Sequence, residues 1–193
     1  MNLNFGPSFI EIYDNALTKE ECDILISEFE KSHKIKGKIL KGGNRTVDKK
    51  IKDSIELNDT FFSKSTLISS IISTRLDICL EKYKKKYSED IPQLLYIKRY
   101  NGFTFKKFEG KNAGFKPWHC EHVRGDGNDG PKRVLVWSFY LNDAEGTEFK
   151  YYPTVRAKRG RCAIFPASFN YMHRSAPNKG IKYITTGWVS YDR

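Results

Sequence analysis

From residue 93 onward the chain is cut into short, β-favouring stretches by turn-forming clusters, and this spacing constrains the fold more than any other feature. Leu94-Leu-Tyr-Ile-Lys-Arg-Tyr100 and Val134-Leu-Val-Trp-Ser-Phe-Tyr-Leu141 are the clearest stretches, and further strands are predicted at 147–152, 154–157, 161–165 and 181–191. Between them fall Gly102, Gly125-Asp-Gly-Asn-Asp-Gly130, Glu145-Gly146, Arg159-Gly160 and Asn178-Lys-Gly180. The first half has a different period. Phe9, Ile10 and Ile12 predict a short strand, and Thr18-Lys-Glu-Glu21 is a capping box at a helix start. Cys22, Leu25, Ile26 and Phe29 then recur at helical spacing, so a helix is expected over 19–32. A second helix is expected from Asn58 or Asp59, with Phe62, Leu67, Ile71, Ile72, Leu76, Cys79, Leu80 and Tyr83 on one face. Many short strands after a helical start predict a mainly β protein with flanking helices: a double-stranded β-helix (jelly-roll) core supported by two N-terminal helices. One domain is expected over 1–193, with helical support and a lid loop in 1–92 and the jelly-roll in 93–193.

Composition narrows the setting. No apolar run approaches the roughly 20 residues needed to cross a bilayer, and the N-terminus lacks a secretory pattern, so a cytoplasmic protein away from membranes is expected. Four scattered cysteines (Cys22, Cys79, Cys120, Cys162) include no CxxC pair and read as reduced thiols. Thirty-four basic residues against 23 acidic ones give a net charge of +11, which makes nucleic acid a partner to weigh. Lysine outnumbers arginine in the first half, however, as on a merely solvated surface. The stretches 37–50 and 122–131 are rich in glycine and charge and suit mobile lids.

Only four histidines are present: His33, His119, His122 and His173. His119 and Glu121 stand two apart, and on a strand such residues share a face. His173 follows the stretch ending Ile164-Phe165-Pro166. Two imidazoles and one carboxylate form the set that holds non-haem iron(II) with positions left open. An isolated His-x-Glu has many innocent occurrences, and the neighbouring residues are needed to weigh it.

Those neighbours come in a familiar order. Arg99-Tyr100, His119-Cys-Glu121, Tyr140-Leu-Asn142, Gly146-Thr-Glu-Phe149, Gly160-Arg-Cys-Ala-Ile-Phe-Pro166, His173-Arg174 and Lys182-Tyr183 run in unbroken sequence. The chain resembles the iron(II)/2-oxoglutarate-dependent dioxygenase superfamily, and within it the prolyl 4-hydroxylase branch. The resemblance implies Fe(II) held by His119, Glu121 and His173, with 2-oxoglutarate as co-substrate and ascorbate as a candidate reductant. It implies that Lys182 pairs with the distal carboxylate of 2-oxoglutarate. Tyr100 would donate a hydroxyl to the same carboxylate, although a core tyrosine explains it equally well. The implied activity is hydroxylation of a C–H bond in a peptidyl or amino-acid substrate, proline leading, with succinate and CO2 released. The partner is then a peptide or a small molecule.

Three features depart from the pattern: Glu121 stands where aspartate is commoner, the segment 103–117 is long, and only nine positions separate His173 from Lys182. Two rivals stay open. A nucleic-acid demethylating oxygenase of the same superfamily would use the positive charge, but it holds the co-substrate with arginine. A non-catalytic jelly-roll binding module would be expected to have lost a ligand or the lysine. Trp118 reads either as an aromatic wall beside the first ligand or as a core residue.

Overall fold

The computed structural model describes residues 7–57, 66–122 and 132–191, without the side chains of residues 99–101. In chain order the elements are β1 (Glu11–Tyr13), α1 (Lys19–Lys31), β2 (Lys34–Lys36), β3 (Ile39–Lys41), β4 (Asn44–Thr46), β5 (Lys52–Asp53) and β6 (Ile55–Leu57). They continue with α2 (Leu67–Tyr87), β7 (Ile97–Glu109), β8 (Gly114–Phe115), β9 (Arg133–Tyr140), β10 (Ala144–Phe149) and β11 (Val155–Ala157). The last are β12 (Arg161–Pro166), β13 (His173–Ser175) and β14 (Ile181–Tyr191). Seven strands form one antiparallel sheet in the order β1-β12-β9-β14-β7-β6-β2, and β11-β10-β13 form a smaller one. Mainly antiparallel sheets with two helices make the jelly-roll architecture predicted from the strand spacing.

Alternation along the strands divides the large sheet into two faces. Phe103 and Phe105 of β7, Leu135, Trp137 and Phe139 of β9 and Val189 of β14 bury one face together with Leu25 and Phe29 of α1 and Ile72, Leu76 and Tyr83 of α2. Phe108, Val136, Tyr140 and Ile184 point from the other face to meet Phe149 and Val155 of the small sheet. The helices thus stiffen the outside of the large sheet, and the inner face is left for a site. A capping box starts α1: the Thr18 hydroxyl accepts from the Glu21 amide, and the Glu21 carboxylate accepts from the Thr18 amide.

Several boundaries differ from expectation. Helix α2 begins at Leu67 behind a Thr66 cap, so the proposed start at Asn58 or Asp59 and Phe62 lie outside the described residues. Leu67 is exposed, because it sits in the first turn before the helix reaches the sheet. Residues 92–96 form a 3-10 turn with Pro92 at its start, where a missing amide costs nothing, and the strand starts only at Ile97. The stretch 37–50 is partly ordered by the β3–β4 hairpin, whose turn places Gly42 and Gly43 at positive φ. The supposed insertion 103–117 lengthens β7 to Glu109, turns, and supplies β8. The Gly125–Gly130 cluster lies outside the described residues. All four cysteines are free thiols, with Cys120 the one not buried. No described helix is long and apolar enough to cross a membrane.

Gly146 decides how the small sheet meets the large one. It adopts φ +91° where the β10–β11 register shifts, its carbonyl accepts from the Ala176 amide, and an added Cβ would fall on the Val155 carbonyl and 2.5 Å from the Ala157 nitrogen. Gly146→Ala should cost at least about 1–3 kcal/mol, from the strained backbone alone. Urea unfolding checks this, and a wild-type midpoint would show that the turn relaxes freely.

Candidate metal centre and anion pocket

His119 and His173 meet through the main chain before their side chains do anything. Each donates its amide to the other's carbonyl, at 3.0 Å and 2.8 Å, as an isolated antiparallel bridge. This bridge sets the two rings side by side, with centroids 4.4 Å apart. The segment around His119 is held by that bridge rather than by a continuous strand, which corrects the simple strand picture while keeping His119 and Glu121 on one side. The Glu121 amide donates to the Ala167 carbonyl and fixes the chain after the first histidine.

The ring nitrogens are sorted by their neighbours. His119 Nδ1 lies 3.1 Å from the Pro117 carbonyl and His173 Nδ1 lies 2.9 Å from the Tyr171 carbonyl. A carbonyl only accepts, so Nδ1 carries the proton in both rings and Nε2 offers its lone pair. Both Nε2 atoms face Glu121 Oε1, at 3.5 Å and 3.8 Å. One donor atom from each residue lies within 4.8 Å of the others, which is the fit that a divalent ion requires.

Electrostatics keep these donors in the ligating state. Burial, followed by the neighbouring His119, pushes the His173 pKa down to about 4, so the ring is neutral at pH 7. Burial works against ionisation of Glu121, but His119, His173 and Lys106 more than reverse it and hold its pKa at about 2. Arg133 takes the carboxylate's other side, with Nη1 3.2 Å from Oε2, and its guanidinium stacks 3.7 Å from the centre of the Trp188 ring.

Lys182 lies on the inner face of β14 and is 1 % exposed. Its ammonium donates to the Gly146 carbonyl at 3.0 Å and sits 4.9 Å over the Phe108 ring. Burial pushes its pKa down to about 8, Glu145 offsetting this and Lys106 adding to it. A buried ammonium with one carbonyl partner is poised for an anion. Tyr140 faces Ile184, two residues along from Lys182, and its hydroxyl shares a 2.7 Å hydrogen bond with Thr147 beside Gly146.

The backbone register sets the Tyr100 position apart from Lys182 along the strand. Phe108 faces Lys182 across β7 and β14, whereas Arg99 faces Val189. Arg99 thus lies seven residues of strand, roughly 23 Å, from the Lys182 position, and Tyr100 is its chain neighbour. Its side chain is outside the described residues. The Tyr140 hydroxyl, bonded to Thr147 next to the Gly146 that accepts from Lys182, was signalled by the Tyr-Leu-Asn motif but not singled out. Arg133 and Lys106 were likewise missed. His33 and His122 are exposed and outside the cluster. Trp118 is half-buried, with the Arg174 guanidinium 4.4 Å above its ring, so it is not a core residue.

Residues 103–190 match the family model of the 2OG-Fe(II) oxygenase superfamily. The matched segment takes in His119, Glu121, His173 and Lys182. No curated protein matches the chain in sequence. Among solved structures it is similar to the viral collagen prolyl hydroxylase of Paramecium bursaria Chlorella virus-1 in its 2OG complex, at TM-score 0.64 and 18% identity, covering 97% of this chain and 98% of that one. A Trichoplax adhaerens prolyl hydroxylase in complex with a hypoxia inducible factor peptide gives TM-score 0.69 and 14% identity over 95% and 84% of the two chains. A Pseudomonas putida prolyl-4-hydroxylase gives 0.62 and 13% over 96% and 94%. At these identities the likeness carries the oxygenase fold.

Proposed function

We propose that residues 1–193 form one catalytic domain that hydroxylates a C–H bond of a peptidyl or amino-acid substrate, proline leading, and releases succinate and CO2. The observation that carries this reading is the combination of a three-donor cluster with a buried, anion-seeking Lys182 on the same inner face. His119, Glu121 and His173 would hold Fe(II), and Lys182, assisted by the Tyr140 and Thr147 hydroxyls, would hold the distal carboxylate of 2-oxoglutarate. When bound, iron supplies the activation of dioxygen that oxidises the substrate as 2-oxoglutarate is decarboxylated. The chain keeps both Nε2 lone pairs available, keeps Glu121 ionised, and anchors one end of the co-substrate so that its other end is presented to the metal. The inner apolar residues Phe108, Phe149, Phe165 and Ile184 exclude water around it. The prolyl hydroxylase neighbours, one of them in complex with a peptide, support the substrate class.

Arg133 would hold Glu121 by its outer oxygen and so steady a carboxylate one methylene longer than aspartate. Arg133→Leu should weaken Mn(II) binding about 10–100-fold, the usual effect of losing a partner behind a ligand. Calorimetry reads this directly, and unchanged affinity would leave Arg133 with no role at the metal.

The function is tested by anaerobic Fe(II) titration with 2-oxoglutarate, followed through the weak visible band of the chelate. Proline-rich peptides, with ascorbate present, are then examined by mass spectrometry for a gain of one oxygen. If alkylated oligonucleotides drive succinate release and peptides do not, the demethylase reading replaces this one.

A further inference from the structure

The inner face of β7 carries a second lysine. Lys106 shares that face with Phe108, the ring beneath the Lys182 ammonium, and it faces Ile184 across β14 and Glu56 across β6. Its strand neighbours Phe105 and Lys107 point the other way, Phe105 onto the Phe29 ring and Lys107 onto Glu30 of α1. Alternation therefore sends Lys106 between the sheets. It stands two residues from Phe108, which pairs with Lys182, and so lies next to the Lys182 end of the inner face, where its charge also acts on Glu121 and His173. Burial, then repulsion from Lys52, pushes its pKa down to about 8, yet the residue keeps some solvent contact. A half-buried lysine on the inner face is open to a bound molecule.

The surrounding carboxylates are already engaged. Glu56 Oε1 accepts from Lys52 at 2.7 Å and from Ser54 at 2.8 Å, and Glu121 Oε2 accepts from Arg133 at 3.2 Å. The Lys106 ammonium makes no hydrogen bond or ion pair among the described residues. Lys52, Lys106 and Arg133 are thus three cations against two carboxylates. A divalent metal and Lys182 add three more positive charges, while 2-oxoglutarate brings two negative ones and Glu145 beside Lys182 a third. The pocket stays positive after the co-substrate is in place, and an enclosed charge of that kind calls for another anion.

We propose that Lys106 receives a carboxylate of the primary substrate, so that the pocket selects a molecule bearing its own anionic group near the oxidised carbon. A free amino acid or a chain-terminal residue has that chemistry, and an internal peptide unit does not. The proposal rests on the 2-oxoglutarate oxygenase reading above. The other source of a carboxylate is the metal-proximal end of 2-oxoglutarate, and the experiment separates the two.

Mn(II)-loaded protein, which holds the metal without turnover, is titrated calorimetrically with 2-oxoglutarate. The saturated complex is then titrated with acetate and with its neutral counterpart acetamide, in wild type, Lys106→Met and Lys106→Arg. Acetate should bind wild type better than acetamide does. Lys106→Met should weaken acetate at least tenfold and leave 2-oxoglutarate within about twofold, while Lys106→Arg retains acetate binding. A tenfold loss of 2-oxoglutarate affinity with acetate unchanged assigns Lys106 to the co-substrate and overturns the proposal. Absence of acetate binding to wild type, or equal binding by wild type and Lys106→Met, also overturns it. If Lys106→Met does not fold, Lys106→Gln takes its place. Failure of wild type to bind Mn(II) or 2-oxoglutarate would instead remove the oxygenase reading itself.

Discussion

His173→Ala should take up no stoichiometric Fe(II) or Mn(II) and should release no succinate from 2-oxoglutarate under any substrate tested. The imidazole is one of three donors, and no described His, Cys, Asp or Glu stands ready to replace it in the cluster. Its ring is enclosed by Phe149, Phe165 and His119, so the substitution opens a small apolar gap into which a further ligand does not reach. The variant should nevertheless fold, because the bonds joining His173 to His119 are main-chain bonds. Circular dichroism checks folding and calorimetry checks metal uptake. His33→Ala and His122→Ala, at exposed positions, serve as controls with full activity. Undiminished turnover in His173→Ala would sink the metal assignment.

Lys182→Ala should raise the 2-oxoglutarate requirement by orders of magnitude while Mn(II) still binds. Truncating one partner of a buried charge pair costs about 2–5 kcal/mol, roughly 30- to 4,000-fold in affinity. The pH dependence provides a second signature. The folded pKa of about 8 lies below the ordinary 10.5, so the folded chain releases this proton more readily than the unfolded one. For the ligand-free protein, the Lys182 contribution to stability therefore improves as pH rises from about 8 to about 10.5. Co-substrate binding runs the opposite way. It needs the ammonium, so wild-type affinity should fall above about pH 8, and that slope should vanish in Lys182→Ala. If affinity is unchanged by the substitution, the anchor lies elsewhere.

What could be read in advance, and what could not, follows from the range of the forces involved. Local chemistry was legible. Thr18 and Glu21 specify a helix start by themselves, and β14 at 181–191 follows the Asn178-Lys-Gly180 turn as a stretch rich in β-favouring residues. The triad was legible because metal ligation admits few residue types and the order of surrounding motifs was specific. Tyr100 and Tyr140 show where this stops. Both end a strand-like stretch, and only the pairing of β7 with β14 reveals that the first stands far from Lys182. Register is a long-range property, set by which strands meet. Lys106 was hidden for a related reason: in a lysine-rich chain, its inward orientation depends on the faces given to Phe105 and Phe108. The hairpin at 39–46 looked like unstructured chain because glycine and charge mark a turn and a loose loop alike.

The reciprocal main-chain pair between His119 and His173 has a consequence for how this protein can fail. Its frame is written in amides and carbonyls, whereas its reactivity is written in side chains alone. Damage to the ligands therefore need not travel into the shell: an oxidised or substituted ring leaves a fully shaped copy of the protein. Such a copy would keep the same inner face while taking up no metal, and would escape quality control that recognises only unfolded chains.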